Sequence, residues 1–393
     1  MDPVRNPYAP GAGQRPPELA GRDKQLAAFD IVLERIARGR PERSVMLTGL
    51  RGVGKTVLLN QLRSAAISRG WGTGKIEARP DQDLRRPLSS ALHMAVRAIA
   101  MSHRNPERVD DFLGILKAFA LRATADKGMR ERWQPGIDVP AVTGRADSGD
   151  IEIDLIELFK EAAALAADIG VGIGIFIDEM QDLGPADVSA ICGACHELSQ
   201  DGAPLIVVGA GLPHLPAVLS ASKSYSERLF SYHRIDRLDR QSADLALIAP
   251  AEREEVKFTE TALDSLYQRA DGYPYFVQAY GKAAWDQAPE SPITAEDVAV
   301  ASPAAEEELA VGFFGSRYER ATPAEREYMR AMADLAGDDA PVATSAVAAE
   351  LGRKPASVSP ARDGLIKKGL IYSAERGTIG FTVPHFGRYL RSV

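Results

Sequence analysis

Cysteine is scarce in this 393-residue chain: Cys192 and Cys195 are the two present, both inside ICGACHELSQ (191–200). Cys-x-x-Cys-His is the spacing of a c-type haem attachment. That chemistry requires export, and the opening stretch MDPVRNPYAPGAGQRPPELAG is rich in proline and glycine with no apolar core, so no secretory leader is expected. Val188, Ile191, Cys192, Cys195 and Leu198 instead recur at helical spacing, so both thiols are expected to be small core side chains. Long apolar runs are also missing. VGIGIFI (171–177) is far short of the ~18–20 residues that cross a bilayer, so no membrane span is expected and the expected location is cytoplasmic. The six histidines are scattered without metal-ligand spacing, and no internal repeat is visible.

What is present suits a large globular protein. Apolar residues make up 45% and charged residues 26%, enough for a substantial core. The length exceeds one compact domain by the usual prior of ~100–200 residues. Net charge is −7, unevenly spread. Residues 353–393 hold eight lysines and arginines against two acids, a surplus of six positive charges on an otherwise acidic chain. A basic end suggests an anionic partner there; a solvated basic face is the alternative.

Helical and apolar patterns alternate along the first part of the chain. DKQLAAFDIVLERIAR (23–38) is amphipathic and precedes a short strand, SVMLTG (44–49); a second strand is expected near 74–79. Helical patterns fill about 84–124, and residues 126–150 are polar, turn-rich and without an assigned role. A helix at 151–170 leads into VGIGIFIDE (171–179), and PLIVVGAG (204–211) is a further apolar run, with HRIDRLD (233–239) a candidate for one more. Short apolar runs bounded by glycine and acids predict buried parallel strands. Strands alternating with helices predict a parallel α/β sheet with right-handed crossovers.

Between the first strand and the next helix lies Gly49-Leu50-Arg51-Gly52-Val53-Gly54-Lys55-Thr56, a full GxxxxGK[ST] phosphate loop in the confirming strand-to-helix context. Glycines let backbone N–H groups turn inward around phosphate oxygens, and the following helix presents its positive N-terminus. Lys55 is expected to reach the β- and γ-phosphates of ATP, and the Thr56 hydroxyl to bind Mg²⁺. The buried strand ends in Asp178-Glu179. Asp178 is expected to organise Mg²⁺ and its waters, and Glu179 to orient or deprotonate the attacking water.

Taken with LAGR (19–22), IFIDEMQDL (175–183), VVGAGLP (207–213), Arg228 in SYSERLF and GYPYF (272–276), these motifs resemble the AAA+ superfamily. More narrowly, the chain is similar to origin-recognition (replication-initiator) and archaeal-type ATPases and to the STAND switch ATPases. The resemblance implies a P-loop ATPase core with a helical lid. It places Arg22 near the adenine end of the nucleotide and Pro274 at the start of a lid helix packed on it. It places Arg228 where such ATPases put an arginine that senses the γ-phosphate, in cis or from a neighbouring subunit; a surface salt bridge is the alternative. Two features depart from the motor pattern. No polar residue follows the fourth core strand at VVGAGLP, and the GxP is followed by Tyr275 rather than an arginine. Both fit a slowly hydrolysing switch better than a fast motor.

At the C-terminus, PAEREYMRAMADLA (323–336), ATSAVAAELG (343–352) and PASVSPARDGLIKKGLI (355–371) read as three helices. IYSAERGTIGFTVP (371–384) follows as a hairpin around Arg376-Gly377. This is a winged helix-turn-helix order. Ser357, Ser359, Arg362, Lys367 and Lys368 on the reader helix and Arg376 at the wing tip are candidate contacts to double-stranded DNA. The expected organisation is an extended arm (1–20), an ATPase core (21–240), a helical lid (241–312) and a winged-helix domain (313–393). The expected function is an ATP-binding, slowly hydrolysing switch that couples nucleotide state to DNA binding, with self-association or a protein partner open. The competing readings are a STAND-type signalling or defence ATPase whose winged helix binds protein, and a loader or helper ATPase of a replication or mobile element.

Overall fold

The computed structural model describes residues 1–11, 13–101, 105–122, 136–336 and 340–393. Five parallel strands form the central sheet: β1 (Ser44–Thr48), β2 (Gly72–Glu77), β3 (Ile173–Asp178), β4 (Leu205–Gly211) and β5 (Phe230–Arg234), in the order β2-β3-β4-β1-β5. β1, β3 and β4 are buried along their whole length. That is why they read as unbroken apolar runs rather than alternating ones: helices cover both faces of the sheet. On one face lie α1 (Asp23–Ala37) and α2 (Lys55–Ser68), whose Phe29, Leu33, Leu58 and Leu62 pack on Val45, Phe176 and Val208. On the other lie α3 (Arg85–Ala100), α4 (Pro106–Leu121), α5 (Ile151–Ile169) and α6 (Pro185–Asp201). The strand expected over 233–239 begins earlier, at Phe230, and the chain then leaves the sheet after Arg234.

Cys192 and Cys195 are buried on α6 as expected, and burial pushes both thiols up to about 12. Of the turn-rich stretch 126–150, residues 126–135 lie outside those described. The remainder packs on α4: Lys117 Nζ donates to the carbonyls of Ile137 and Val139, 2.9 and 2.8 Å away. Ser148 donates to Asp154, which is fully buried in an ion pair with Arg85.

After β4 come α7 (Leu215–Ser222) and the single-turn helix α8 (Ser226–Leu229). Beyond β5 the chain is helical: α9 (Arg240–Arg253), α10 (Glu260–Ala270), α11 (Pro274–Gln287) and α12 (Ala295–Glu308), then a π-helical segment, Leu309–Gly315. The N-terminal arm is fastened along these helices. Tyr8 donates to Leu247 O at 2.6 Å, the indole of Trp285 donates to Asp2 O at 3.0 Å, and Asn6 donates to Lys282 O at 3.0 Å. The C-terminal unit comprises α13 (Pro323–Ala336), α14 (Thr344–Glu350), α15 (Pro355–Lys367) and α16 (Phe386–Ser392), with an antiparallel sheet of β6 (Val342–Ala343), β7 (Ile371–Ser373) and β8 (Thr378–Phe381) in the order β6-β8-β7. Its hairpin turns at Arg376-Gly377, where Gly377 takes φ +83°.

The boundary expected at 312/313 falls inside the π-helical segment, and the hydrophobic core is continuous across it. Phe313 and Phe314 pack on Phe276 of the lid on one side, and Phe314 packs on Phe386 and Tyr389 of the C-terminal unit on the other. Each such ring pair adds about 0.5–1.5 kcal/mol beyond its burial, so lid and C-terminal unit are joined by a packed seam rather than by a linker alone.

Candidate nucleotide-binding site

The carboxyl ends of β1, β3 and β4 converge on one edge of the sheet, the edge at which open α/β sheets bind ligands. There the chain leaves β1 into the phosphate loop. Gly49 is forced by proximity, because a Cβ there would lie 2.2 Å from Ile235 O. Gly52 and Gly54 take φ +84° and +88°, the left-handed region that turns the N–H groups inward. Lys55 opens α2, is almost wholly buried, and donates to Gly49 O at 2.9 Å and Leu50 O at 2.8 Å. Burial pushes its ammonium down to about 8, against the opposing pull of Glu179 and Asp178. An ammonium held by its own loop's carbonyls is poised to exchange them for a stronger anionic partner.

Asp178 ends β3, buried, and the Thr56 hydroxyl hydrogen-bonds its carboxylate. Burial raises the Asp178 carboxyl above its ordinary value despite that bond. Two hard oxygen donors brought together beside a phosphate loop fit Mg²⁺, which takes one or two protein oxygens and completes its shell with water and phosphate. Glu179 stands next to them at φ +50°, a conformation that a glutamate adopts only when its surroundings hold it. Gln181 does so: its Nε2 donates to Glu179 Oε2 at 2.7 Å, while its Oε1 accepts from Leu212 N at 3.0 Å.

Gln181 was not singled out in the sequence. The fourth strand carries no polar side chain at its end because Gly211 leaves room for one from elsewhere. A Cβ on Gly211 would lie 2.8 Å from Gln181 Oε1. The only sequence signal is its position two residues after Glu179.

Arg22 is buried and bonded to backbone carbonyls, with Nη2 3.0 Å from Val53 O and 2.7 Å from Asp236 O. It ties the phosphate loop to the chain leaving β5. Gly13 of the arm passes beside Thr56, its Cβ position 3.1 Å from Thr56 Cγ2. Pro274 opens α11, and Tyr275 N, in the first turn, faces Gly52 O at 3.4 Å. The C-terminal unit reaches the same loop. Arg51 N donates to Thr382 O at 2.8 Å, and the rings of Tyr372 and His214 stack 6.0 Å apart.

Arg228 lies elsewhere. It is exposed on α8, just before Phe230, which pairs with Ser44 at the start of β1. The phosphate loop follows the far end of β1, about 13 Å away along the strand. The cis role expected for Arg228 lacks that proximity.

The expected DNA contacts are partly taken up within the molecule. Lys368 Nζ donates to Glu325 Oε2 and, at 2.9 Å, to Arg320 O, so it points into its own unit rather than outward. Burial alone would raise Glu325, but Lys368 and Thr322 hold it below its ordinary value. Lys367 pairs with Asp81 of the core at 3.1 Å, and Arg362 pairs with Asp363 at 2.9 Å. The Ser357 and Ser359 hydroxyls donate to Lys354 O and Pro355 O. Arg376 is exposed at the hairpin tip.

Comparison with known proteins bears on this geometry. The AAA ATPase domain family matches residues 18–208, from the arm's end through the phosphate loop and Asp178-Glu179 into β4. That stretch, a little under half of the chain, holds every motif of the candidate site up to β4. A domain of unknown function (DUF8462) matches residues 311–390. No curated protein matches the chain. Among solved structures, the Walker-type ATPase PABY2304 of Pyrococcus abyssi is similar over 96% of this chain and 97% of its own, at 16% identity and a TM-score of 0.59. That likeness shows a shared fold extending beyond the AAA ATPase domain. The Thermotoga maritima RuvB Holliday junction branch migration motor is similar at 17% identity over 94% of this chain and 96% of its own, with a TM-score of 0.45. The Aeropyrum pernix Orc1 protein in complex with DNA is similar at 15% identity over 96% and 94%, with a TM-score of 0.44. Among the described residues no helix is long and apolar enough to cross a membrane.

Proposed function

We propose that this chain is an ATP-driven switch that hydrolyses slowly and couples its nucleotide state to DNA binding by a C-terminal winged helix. The observation that carries the reading is that lid and C-terminal unit both touch the phosphate loop, at Gly52 O through Tyr275 N and at Arg51 N through Thr382 O. A loop that closes around phosphate cannot do so without the other two segments registering it.

In this reading the glycine turns and the N-terminus of α2 cradle the phosphates, and Lys55 bridges the β- and γ-groups. Mg²⁺, held through Thr56 and Asp178, would neutralise charge on the phosphate oxygens. Glu179 takes the proton of the water that attacks the γ-phosphorus; the bond to ADP breaks and phosphate departs. Gln181 fixes where the Glu179 carboxylate points. The helix order and the hairpin of the C-terminal unit support a winged helix, and its basic surplus supports an anionic partner. Ser357, Ser359, Arg362, Lys367 and Arg376 are its proposed DNA contacts, and Lys368 supports them from within.

A second reading rests on the C-terminal unit's contacts with the core. Thr382, Tyr372 and Lys367 all face the ATPase domain, which suits a winged helix that binds protein. Fluorescence anisotropy on labelled duplex DNA with ATP, ADP or no nucleotide, across a salt series, separates the two. Salt-sensitive binding that changes with nucleotide is expected. No binding in any state would overturn the DNA reading and favour the protein one.

A further inference from the structure

Two guanidinium groups near the phosphate loop have donors without acceptors. Nε of Arg51 and Nε of Arg317 are buried and bond to nothing among the described residues. Arg51 has one carboxylate nearby, Glu179, at a loose 3.8 Å. Arg317 follows the π-helical segment Leu309–Gly315. Its guanidinium lies over the Phe313 ring, 4.4 Å from the centroid, and bonds to Phe313 O. Phe313 stacks on Tyr275 at 4.6 Å, and its ring edge lies 3.8 Å from where a Cβ on Gly52 would stand. The Arg317 head group therefore sits on the ring that seals the phosphate loop. Burial, with Arg51 and Arg320 adding repulsion, pushes its guanidinium down to about 10.

Cations gathered in this way are costly to hold unless an anion joins them. Buried donors left without acceptors cost free energy as well. Planar guanidinium groups suit phosphate oxygens, which they can bind through two parallel bonds. Arg51 belongs to the phosphate loop and faces Glu179, the residue expected to handle the attacking water, which directs the pair to the terminal phosphate. The π-helical turn adds to the argument, since such turns recur where a helix must aim a side chain at a function.

We propose that Arg317, with Arg51, forms the subsite for the terminal phosphate of a nucleoside triphosphate, supplied by the segment that joins the lid to the C-terminal unit. The chain thereby distinguishes ATP from ADP, and the arginine that registers the difference belongs to the element that carries the hairpin. This rests on the ATP reading above. It also meets the lack of an arginine after the GxP: the charge comes from Arg317, 42 residues beyond Tyr275 in the sequence.

The test is equilibrium binding of the β,γ-imido analogue of ATP and of ADP to the full chain and to its Arg317→Ala, Arg317→Lys and Arg320→Ala variants. Arg317→Ala is expected to weaken the triphosphate analogue at least about tenfold while ADP changes less than about twofold. Arg317→Lys is expected to fall between, and exposed Arg320→Ala to match the parent. Hydrogen exchange over residues 371–382 provides the second readout: it is expected to differ between the analogue and ADP in the parent and not in Arg317→Ala. Equal losses for both nucleotides, or no loss for either, would overturn the subsite while leaving the ATP reading in place. A parent protein that binds neither nucleotide would overturn both.

Discussion

The phosphate loop and the end of α15 are both short basic stretches that sequence motifs single out, and the structure treats them differently. Around the loop, eight consecutive residues supply the glycine turns, the buried lysine and the threonine, and they stay together in the fold. On the helix, adjacent lysines part company: Lys368 turns inward to Glu325 and Lys367 reaches across to Asp81. A motif whose work is done by its own backbone is readable from local sequence. A charge whose partner lies 43 residues away, as Glu325 does from Lys368, is not.

The largest effect that tests this contrast is on the loop. Lys55→Ala is expected to weaken ATP binding by about 100-fold or more, since it removes a charge-assisted contact; calorimetric titration checks it, and retained affinity would remove Lys55 from the phosphates. Glu179→Gln is expected to keep ATP affinity and to lower turnover by about 10²-fold. Gln181→Ala, which frees the Glu179 carboxylate and takes the acceptor from Leu212 N, is expected to lower turnover by about tenfold with affinity unchanged. Phosphate release measured under saturating ATP distinguishes the two.

The two lysines are expected to differ in what they support. Lys368→Glu sets a second carboxylate against buried Glu325 and is expected to cost about 3 kcal/mol of stability. Lys367→Glu breaks an exposed pair and is expected to change stability by less than about 0.5 kcal/mol while reducing DNA affinity several-fold. Urea denaturation and anisotropy together read both. Equal destabilisation by the two would show that Lys368 is no more tied to its own unit than Lys367.

A further effect lies away from both regions. Burial, with Asp83 beside it, raises the Asp187 carboxyl to about 6. Because the folded value lies above the unfolded one, its ionisation opposes folding as pH rises from about 4 through 6. Asp187→Asn is therefore expected to raise the melting temperature by a few degrees at pH 8 and to match the parent below pH 4.

Much of the ATPase domain was legible for the same reason as the loop. Strands buried on both faces announce themselves as apolar runs, and Asp178-Glu179 ends one of them. The strand ending at Arg234 was placed late because Phe230, Tyr232 and His233 lie on an edge strand that is only half buried, so its pattern is weak. Arg228 fitted the sequence order but not the register, which sets it at the opposite end of β1 from the loop. Gln181 and Arg317 escaped notice because each acts across tertiary distance: one fills space left by Gly211, the other reaches the loop through an aromatic stack. The C-terminal helices were legible in the sequence, and the lid was expected from the family resemblance. Their shared core was not, since Phe276, Phe314 and Phe386 come from segments with no common motif.

That shared core has a mechanical consequence. With the lid and α16 gripping one set of rings, the chain past β5 can shift as one body. It rests on the phosphate loop twice, through Tyr275 and through Thr382. A displacement of that loop on the scale of one phosphate group would therefore be passed to both units together rather than to either alone.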